Sequence, residues 1–307
     1  MKKVLGIDTS NYTTSIAIYS EKGIIIDNRK MLSVESGKRG LRQSDALFEH
    51  IKNLPLLLES IKGHNVNGVA VSTKPRPVKG SYMPVFLGGH SVASSIASAL
   101  NVPLIETTHQ EGHIEAGLNS INKSFKEFIA IHISGGTTEV LHVLDEGSGY
   151  SIDLIGESLD ISVGQFVDRV GVKMGYSFPA GSEVDKLALK KIGNLIIPSK
   201  VNGLNMNFSG QETMAIRFFD NKYSNEEIAY AVMKCISKTL HKICEILIKT
   251  YELPIIFIGG VSSSEFLKAH FKRNNLCNIH FAKSKYGADN AVGVAKIAYK
   301  RLFEEGC

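Results

Sequence analysis

One pattern occurs twice in this chain and narrows the fold more than any other feature. Near the start, Val4-Leu5-Gly6-Ile7 runs into the polar turn Asp8-Thr9-Ser10-Asn11-Tyr12-Thr13-Thr14. Ser15-Ile16-Ala17-Ile18-Tyr19 follows, then the turn Glu21-Lys22-Gly23 and the run Ile24-Ile25-Ile26. Short apolar runs punctuated by turn residues read as strand, turn, strand, turn, strand. The theme returns at Phe128-Ile129-Ala130-Ile131-His132-Ile133. It continues through Ser134-Gly135-Gly136-Thr137-Thr138-Glu139 into Val140-Leu141-His142-Val143-Leu144 and turns again at Glu146-Gly147-Ser148-Gly149. A repeated meander predicts two similar α/β lobes. The first is expected over residues 1–122 and the second over 123–307, with a C-terminal helix from about 289 packing back on the first lobe.

The segments between the meanders support this division. Residues 45–62 and 226–251 carry helical periodicity, and residues 87–100 form a helix of small side chains (Gly88, Gly89, Ala93, Ser94, Ser95, Ala97) suited to close packing. That last helix has two readings, internal packing or a docking face for a partner. Gly68-Val69-Ala70-Val71-Ser72, Leu104-Ile105 and Ile255-Ile256-Phe257-Ile258 are short buried strands. Gly259-Gly260-Val261-Ser262-Ser263-Ser264 leads the last of these into a helix over 265–271. Lys74-Pro75-Arg76-Pro77-Val78-Lys79-Gly80 is a basic loop stiffened by proline.

A chain of 307 residues with 43% apolar and 21% charged residues is an ordinary globular protein, large enough for two cores. It has no apolar run of about 18 residues, so no membrane span or membrane partner is expected. The four-residue run Val4-Leu5-Gly6-Ile7 ends at an acid and reads as a first strand, not a signal peptide, which points to the cytoplasm. Cys235, Cys244, Cys277 and Cys307 show no CxxC spacing, so they are expected to be plain thiols. A net charge of +5 permits an anionic partner without demanding one. Lys38, Arg39, Arg42, Lys74, Arg76 and Lys79 place two basic loops in the first lobe, readable as solvated surface or as contacts for nucleic-acid phosphates.

Three turns follow apolar strands: Asp8-Thr9-Ser10, Ser134-Gly135-Gly136-Thr137 and Gly259-Gly260-Val261-Ser262. Glycine and hydroxyl turns expose backbone N–H groups, which is what a phosphate needs. Their order of hairpin, hairpin and strand-to-helix turn is similar to that of the actin-like ATPase fold, the ribonuclease H-like ASKHA group. That likeness implies a nucleotide cleft between two lobes, with phosphates on the hairpins and the adenosine on the third turn.

His109-Gln110-Glu111-Gly112-His113 places two histidines four apart, on one helical face. Spacing alone leaves a structural pair and a metal-binding pair both open, and Gly112 lowers helix propensity slightly. A zinc-protease reading fails. Such a site needs its general base directly after the first histidine, where this chain has Gln110. Glu111 lies about 200° round the helix from His109 and faces away. A third ligand would come from elsewhere. Asp289, in Tyr286-Gly287-Ala288-Asp289-Asn290, is the candidate acid, although by itself it reads first as a helix N-cap.

Six motifs appear in fixed order. They are His-x-Glu-Gly-His at 109–113, Ser-Gly-Gly-x-Thr at 134–138, Gly156-Glu157-Ser158-Leu159-Asp160, Phe208-Ser209-Gly210-x-x-Thr213, Gly259-Gly260-Val261-Ser262 and Asp289-Asn290. Together they resemble the tRNA N6-adenosine threonylcarbamoyltransferase family, formerly described as O-sialoglycoprotein endopeptidases. The resemblance spans essentially the whole chain. It implies one metal ion, iron or zinc, on His109, His113 and Asp289. It also implies that Ile133, Ser134, Gly135, Gly136, Asp168, Gly181, Gly259, Gly260 and Ser264 hold an adenine nucleotide or acyl-adenylate. The implied reaction is acyl transfer, moving threonylcarbamoyl from its adenylate to N6 of the adenosine beside the tRNA anticodon. The implied partners are tRNA, a paralogous subunit and an ATPase of the same machinery.

The chain departs from the family pattern at several polar positions. It has Asn11-Tyr12-Thr13 where the family reads Cys-Asp-Glu, and Thr137 for the histidine of the Ser-Gly-Gly turn. Ile161 stands for a second aspartate, Ser264 for an asparagine, and Lys74-Pro75-Arg76-Pro77 for a Gly-Pro-Gly loop. Ligand positions persist while their polar neighbours change, the pattern of a divergent paralogue. Two other functions fit that pattern: a catalytically idle nucleotide-binding scaffold, and a carbamoyl or phosphoryl transferase acting on a small molecule.

Overall fold

The computed structural model describes residues 1–10, 12–33, 41–147, 149–190, 193–287 and 291–304. The chain divides into two compact units: Met1–Lys126, Leu144–Ser151 and Ala288–Cys307 form one, Glu127–Val143 and Ile152–Gly287 the other.

The first unit opens with β1 (Lys3–Asp8), β2 (Thr13–Ser20) and β3 (Gly23–Met31), then α1 (Gln43–Leu58), β4 (Gly68–Lys74), α2 (Phe86–Leu100), β5 (Leu104–Thr108) and α3 (His109–Ser120). The strands lie in the order β3-β2-β1-β4-β5, with β1, β2 and β3 an antiparallel meander and β1, β4 and β5 parallel. Central parallel strands are buried on both faces and therefore read as unbroken apolar runs. Strand periodicity sorts their side chains. Leu5, Ile7, Val69 and Val71 pack with Leu54, Ala93 and Ala97, whereas Val4 and Ala70 pack with Val294, Ala298 and Tyr299.

The second unit carries β6 (Glu127–Ile133), β7 (Thr138–Asp145), β8 (Tyr150–Glu157), α4 (Val163–Lys173), α5 (Gly181–Lys190), the short pair β9 (Val201–Asn202) and β10 (Asn205–Met206), and α6 (Ser209–Asp220). It continues with α7 (Asn225–Tyr251), β11 (Ile255–Ile258), α8 (Glu265–Arg273), β12 (Ile279–Phe281) and α9 (Ser284–Gly287). Its five-stranded sheet runs β12-β11-β6-β7-β8. Read from the other edge, this is the first unit's order again: a three-strand meander whose first strand pairs in parallel with a later one, which pairs with a last. Ile129, Ile131 and Ile133 pack with Phe166 and Val170 of α4 and with Ile236 and Leu240 of α7.

The last helix, α10 (Val292–Phe303), belongs to the first unit and lies over β1, β2 and β4 and along α3. Ala291 occupies its N-cap position. The approach is close enough to require glycine: a Cβ on Gly6 would sit 2.6 Å from the Ala291 carbonyl oxygen. Among the described residues, three helices start with the reciprocal capping box, in which an N-cap hydroxyl and the side chain at the third helical position satisfy each other's backbone donors. The pairs are Thr108 with Glu111, Ser162 with Gln165, and Ser224 with Glu227. Among the described residues no helix is long and apolar enough to cross a membrane. Cys235 and Cys244 are buried thiols and Cys277 an exposed one, while Cys307 lies outside the described residues.

Candidate functional site

In the first unit, the carboxyl ends of three parallel strands supply the chemistry. Such ends are where open α/β sheets place their ligands. Asp8 ends β1, Ser72 stands near the end of β4, and β5 runs directly into α3 with Thr108 as N-cap. His109 and His113, one helical turn apart, present their rings with centroids 4.4 Å apart and nearly perpendicular. His113 is 3% exposed and the His109 side chain 12%. Glu111 accepts from Thr108 N and from both Thr107 Oγ1 and Thr108 Oγ1, all at 2.9 Å. Its role is to cap the helix that carries the histidines.

Asp8 is fully buried, and its carboxylate is held by three side chains. Ser10 Oγ donates to Oδ2 at 2.6 Å, Ser72 Oγ donates to Oδ1, and His109 Nδ1 lies 3.2 Å from Oδ2. Burial by itself would raise its pKa, but His109 and the two hydroxyls outweigh burial and hold the carboxyl below the usual range. Asp289 lies outside the described residues, so the described structure brings together two of the three residues expected to hold a metal. No group of three or more such side chains occurs among the described residues.

The donor set fits a metal of the zinc or iron type: two adjacent imidazoles on one helical face, one of them backed by a buried carboxylate. Gly112, expected only to weaken the helix, stands at a helix crossing whose demand for glycine falls on its partner. A Cβ on Gly293 of α10 would lie 1.9 Å from the Gly112 carbonyl oxygen, so the two helices cross at backbone contact. Farther along α3, buried Glu115 takes Lys296 and Lys300 of α10 at 2.8 and 2.9 Å.

The basic loop after β4 is tied to the same helix. Pro75 O accepts from Gln110 N at 3.0 Å, and Ser81 Oγ accepts from Arg76 N at 3.0 Å. Arg76 and Lys79 are exposed there, as is Arg42 before α1, and Lys74 sits at the strand end. Lys38 and Arg39 lie outside the described residues.

In the second unit, two predicted turns adjoin. Ile133 is buried at the end of β6, and Ser134 to Thr137 form a tight hairpin closed by Ser134 N donating to Thr137 O at 2.8 Å. Gly135 and Gly136 are exposed, and a Cβ on either would meet nothing within 4 Å. The amino end of α4 supports the hairpin. Ser162 Oγ donates to Gly135 O at 2.9 Å, Val163 N donates to Thr138 Oγ1 at 2.8 Å, and a Cβ on Gly164 would strike Ser134 O at 2.3 Å. Gly259, at φ +91°, leans on the same strand end: its Cβ would lie 2.4 Å from Ile133 O. Gly260 beside it faces open space. Ile133 to Gly136 and Gly259 to Gly260 therefore share the carboxyl ends of the parallel strands β6 and β11.

Asp168 and Gly181 are brought together as well. The Asp168 carboxylate accepts from Ala180 N at 2.8 Å and from the backbone of Gly181, at the start of α5. Burial raises its pKa against those two donors. Ser264 has a local task. It is the N-cap of α8, accepts from Leu267 N at 3.0 Å and donates to Asp185. Asp185 also takes Glu265 N at 2.9 Å. Asp160, seen in sequence only as part of a motif, accepts from Phe208 N at 2.8 Å and from Ser209 N and Oγ at 3.1 and 2.6 Å. It thereby joins two of the six motifs. Sequence reasoning placed Asp8 in a phosphate turn and missed its bonds to Ser72 and His109, and it missed the capping pairs. The boxes Thr108-x-x-Glu111 and Ser162-x-x-Gln165 were readable, whereas the Asp8 partners are 64 and 101 residues away.

The chain is 30% identical to the tRNA N6-adenosine threonylcarbamoyltransferase of Sulfurihydrogenibium sp. (strain YO3AOP1), over 99% of this chain and 91% of that one. It is 29% identical to the protein of the same description from Mycoplasmopsis synoviae (strain 53), over 97% and 98%. Among solved structures, the activator of the 2-hydroxyisocaproyl-CoA dehydratase from Clostridium difficile with bound ADPNP superposes with a TM-score of 0.58 at 13% identity, covering 99% of this chain and 98% of that one. The paired five-stranded sheets are those of the actin-like ATPase fold. The model of the tRNA N6-adenosine threonylcarbamoyltransferase family matches residues 43–296, and the chain belongs to that family.

Proposed function

We propose that this protein is a metal-dependent acyltransferase that moves threonylcarbamoyl from its adenylate to N6 of the adenosine beside the tRNA anticodon. In this reaction the N6–carbonyl bond forms, the carbonyl–phosphate bond breaks, N6 loses a proton and AMP departs. The observation that carries the reading is the His109–His113 pair, with rings 4.4 Å apart at the start of α3, in a chain of this family. His109, His113 and Asp289 would hold the metal, whose chemistry when bound is to orient the acyl group and polarise its carbonyl.

The chain's own residues have separable tasks under this reading. Backbone N–H groups of the Ser134–Gly136 hairpin and of Gly259–Gly260 would receive the phosphate and nucleoside, since no side chain covers Gly135, Gly136 or Gly260. Asp168 and Gly181 shape the start of α5, and Ser264 the start of α8. Arg42, Lys74, Arg76 and Lys79 would meet tRNA phosphates, and the anchoring of Pro75 to Gln110 ties that loop to the metal helix. A paralogous subunit and an ATPase are the expected partners, and the cytoplasm the expected compartment.

The test is metal analysis of wild type and His109→Ala, run beside tRNA modification from pre-formed threonylcarbamoyl-adenylate. Loss of both bound metal and product in the variant is expected. Equal metal in both proteins, or no product with wild type, would overturn the reading.

A further inference from the structure

A buried carboxylate must be satisfied from all sides, and Asp8 is met by Ser10 Oγ at 2.6 Å, Ser72 Oγ, and His109 Nδ1 at 3.2 Å. An ionised carboxylate only accepts. The ring nitrogen facing Oδ2 must therefore carry a proton, because a lone pair there would point at a negative charge. In a neutral imidazole that assignment leaves the lone pair on Nε2.

We infer that Asp8 is the positioning residue of the metal centre, fixing the tautomer and ring orientation of His109 so that Nε2 binds the metal. The inference rests on the metal reading above. A residue outside the ligand set, 101 positions away, thereby controls how one ligand binds. The arrangement is a hydrogen-bond relay. Ser72 comes from β4 and Ser10 from the turn after β1, and together they hold the carboxylate still. Asp8, at the end of β1, in turn holds the ring at the first position of α3. The negative charge behind the ring also makes Nε2 a stronger donor to a cation. Losing such a backing carboxylate weakens metal binding by roughly 10–100-fold. His113, one turn on, has its ring edge-on to that of His109, so a His109 ring free to rotate would spoil the geometry of the pair.

The experiment uses the full chain as wild type, Asp8→Asn, Asp8→Ala and Asn53→Ala. Asn53 is a buried residue of the same unit that donates to Thr14 Oγ1 at 3.3 Å, so its variant reports what a general loss of packing does. Zn²⁺ affinity is measured by competition with a chelating indicator, and the His109 tautomer by ¹⁵N NMR of the metal-free protein. Wild type should show His109 protonated on Nδ1. Asp8→Asn should lose about tenfold in zinc affinity and Asp8→Ala up to about a hundredfold. Asn53→Ala should bind zinc as wild type does.

Two results would overturn the inference alone: zinc affinity unchanged in the near-isosteric Asp8→Asn while wild type binds tightly, or a wild-type His109 protonated on Nε2. The second needs no variant and is independent of whether Asp8→Ala folds. Wild type that binds no zinc would bring down the metal reading and this inference with it.

Discussion

Gly293 of α10 meets Gly112 of α3 at backbone contact: a Cβ on Gly293 would lie 1.9 Å from the Gly112 carbonyl oxygen and 2.9 Å from Ala116 N. The helix that carries both histidines is thus held by the helix that follows the Asp289 segment, with no side chain between them.

Gly293→Ala is therefore expected to be costly, because its clash is with backbone atoms that no rotamer change relieves. The loss should be about 1–3 kcal/mol of unfolding free energy, or more, since the helices must separate. Gly112→Ala is the contrast. Its Cβ would meet the Val294 Cγ2 methyl at 3.0 Å, a side chain that can yield, and alanine adds about 1 kcal/mol of helix propensity. Urea denaturation of both variants checks this; equal losses would contradict the crossing.

Gly135 occupies the opposite situation. A Cβ there meets nothing within 4 Å, so Gly135→Ala should change stability by no more than about 0.5 kcal/mol. Adenine-nucleotide affinity should nevertheless fall about tenfold, the size of one hydrogen bond to a charged group. Calorimetric titration of wild type and variant decides it, and unchanged affinity would remove the hairpin from the nucleotide site.

Asp160 makes stability depend on pH in a defined window. Burial would raise its pKa, but the Ser209 hydroxyl and the backbone donors of Phe208, Ile161 and Ser209 prevail and hold it at about 2. A carboxyl whose folded pKa is depressed stabilises the fold above its unfolded value and loses that contribution as pH falls through the folded one. The contribution of Asp160 should thus be complete above about pH 4 and fade toward pH 2. Asp160→Ala should cost about 1 kcal/mol at neutral pH, as loss of a helix cap does. Its denaturation midpoint should converge on that of wild type near pH 2. A gap that stays constant down to pH 2 would contradict the assignment.

The duplicated architecture was legible because it is written in local pattern. The meanders at Val4 to Ile26 and Phe128 to Leu144 are alternations of apolar run and turn; the first appears as β1, β2 and β3, the second as β6 and β7, and β8 follows the turn at 146–149 without having been read from the sequence. Helix ends were legible to within a few residues: residues 226–251 were expected, and Asn225–Tyr251 is observed. The candidate site was legible only in part. The spacing of His109 and His113 announced a shared face, but nothing beside Ser264 in the chain announced its tie to Asp185, 79 residues earlier. Helical angle turns Glu111 away from the metal, and its bonds to Thr107 and Thr108 give it the capping task that the Thr108-x-x-Glu111 spacing signals.

By itself the sequence determined which residues recur at 2.0 and 3.6 spacing, where turns fall, and that two histidines share one turn of helix. These are properties of neighbours along a chain, enforced by backbone geometry. Tertiary structure alone decided which glycine is a helix crossing (Gly293) and which an open cradle (Gly135), and which acid stands behind His109. Those outcomes depend on which strand ends lie side by side in the sheet. Asp8, Ser72 and His109 meet because β1, β4 and β5 run parallel and finish together, and no local pattern in any one of them encodes the other two.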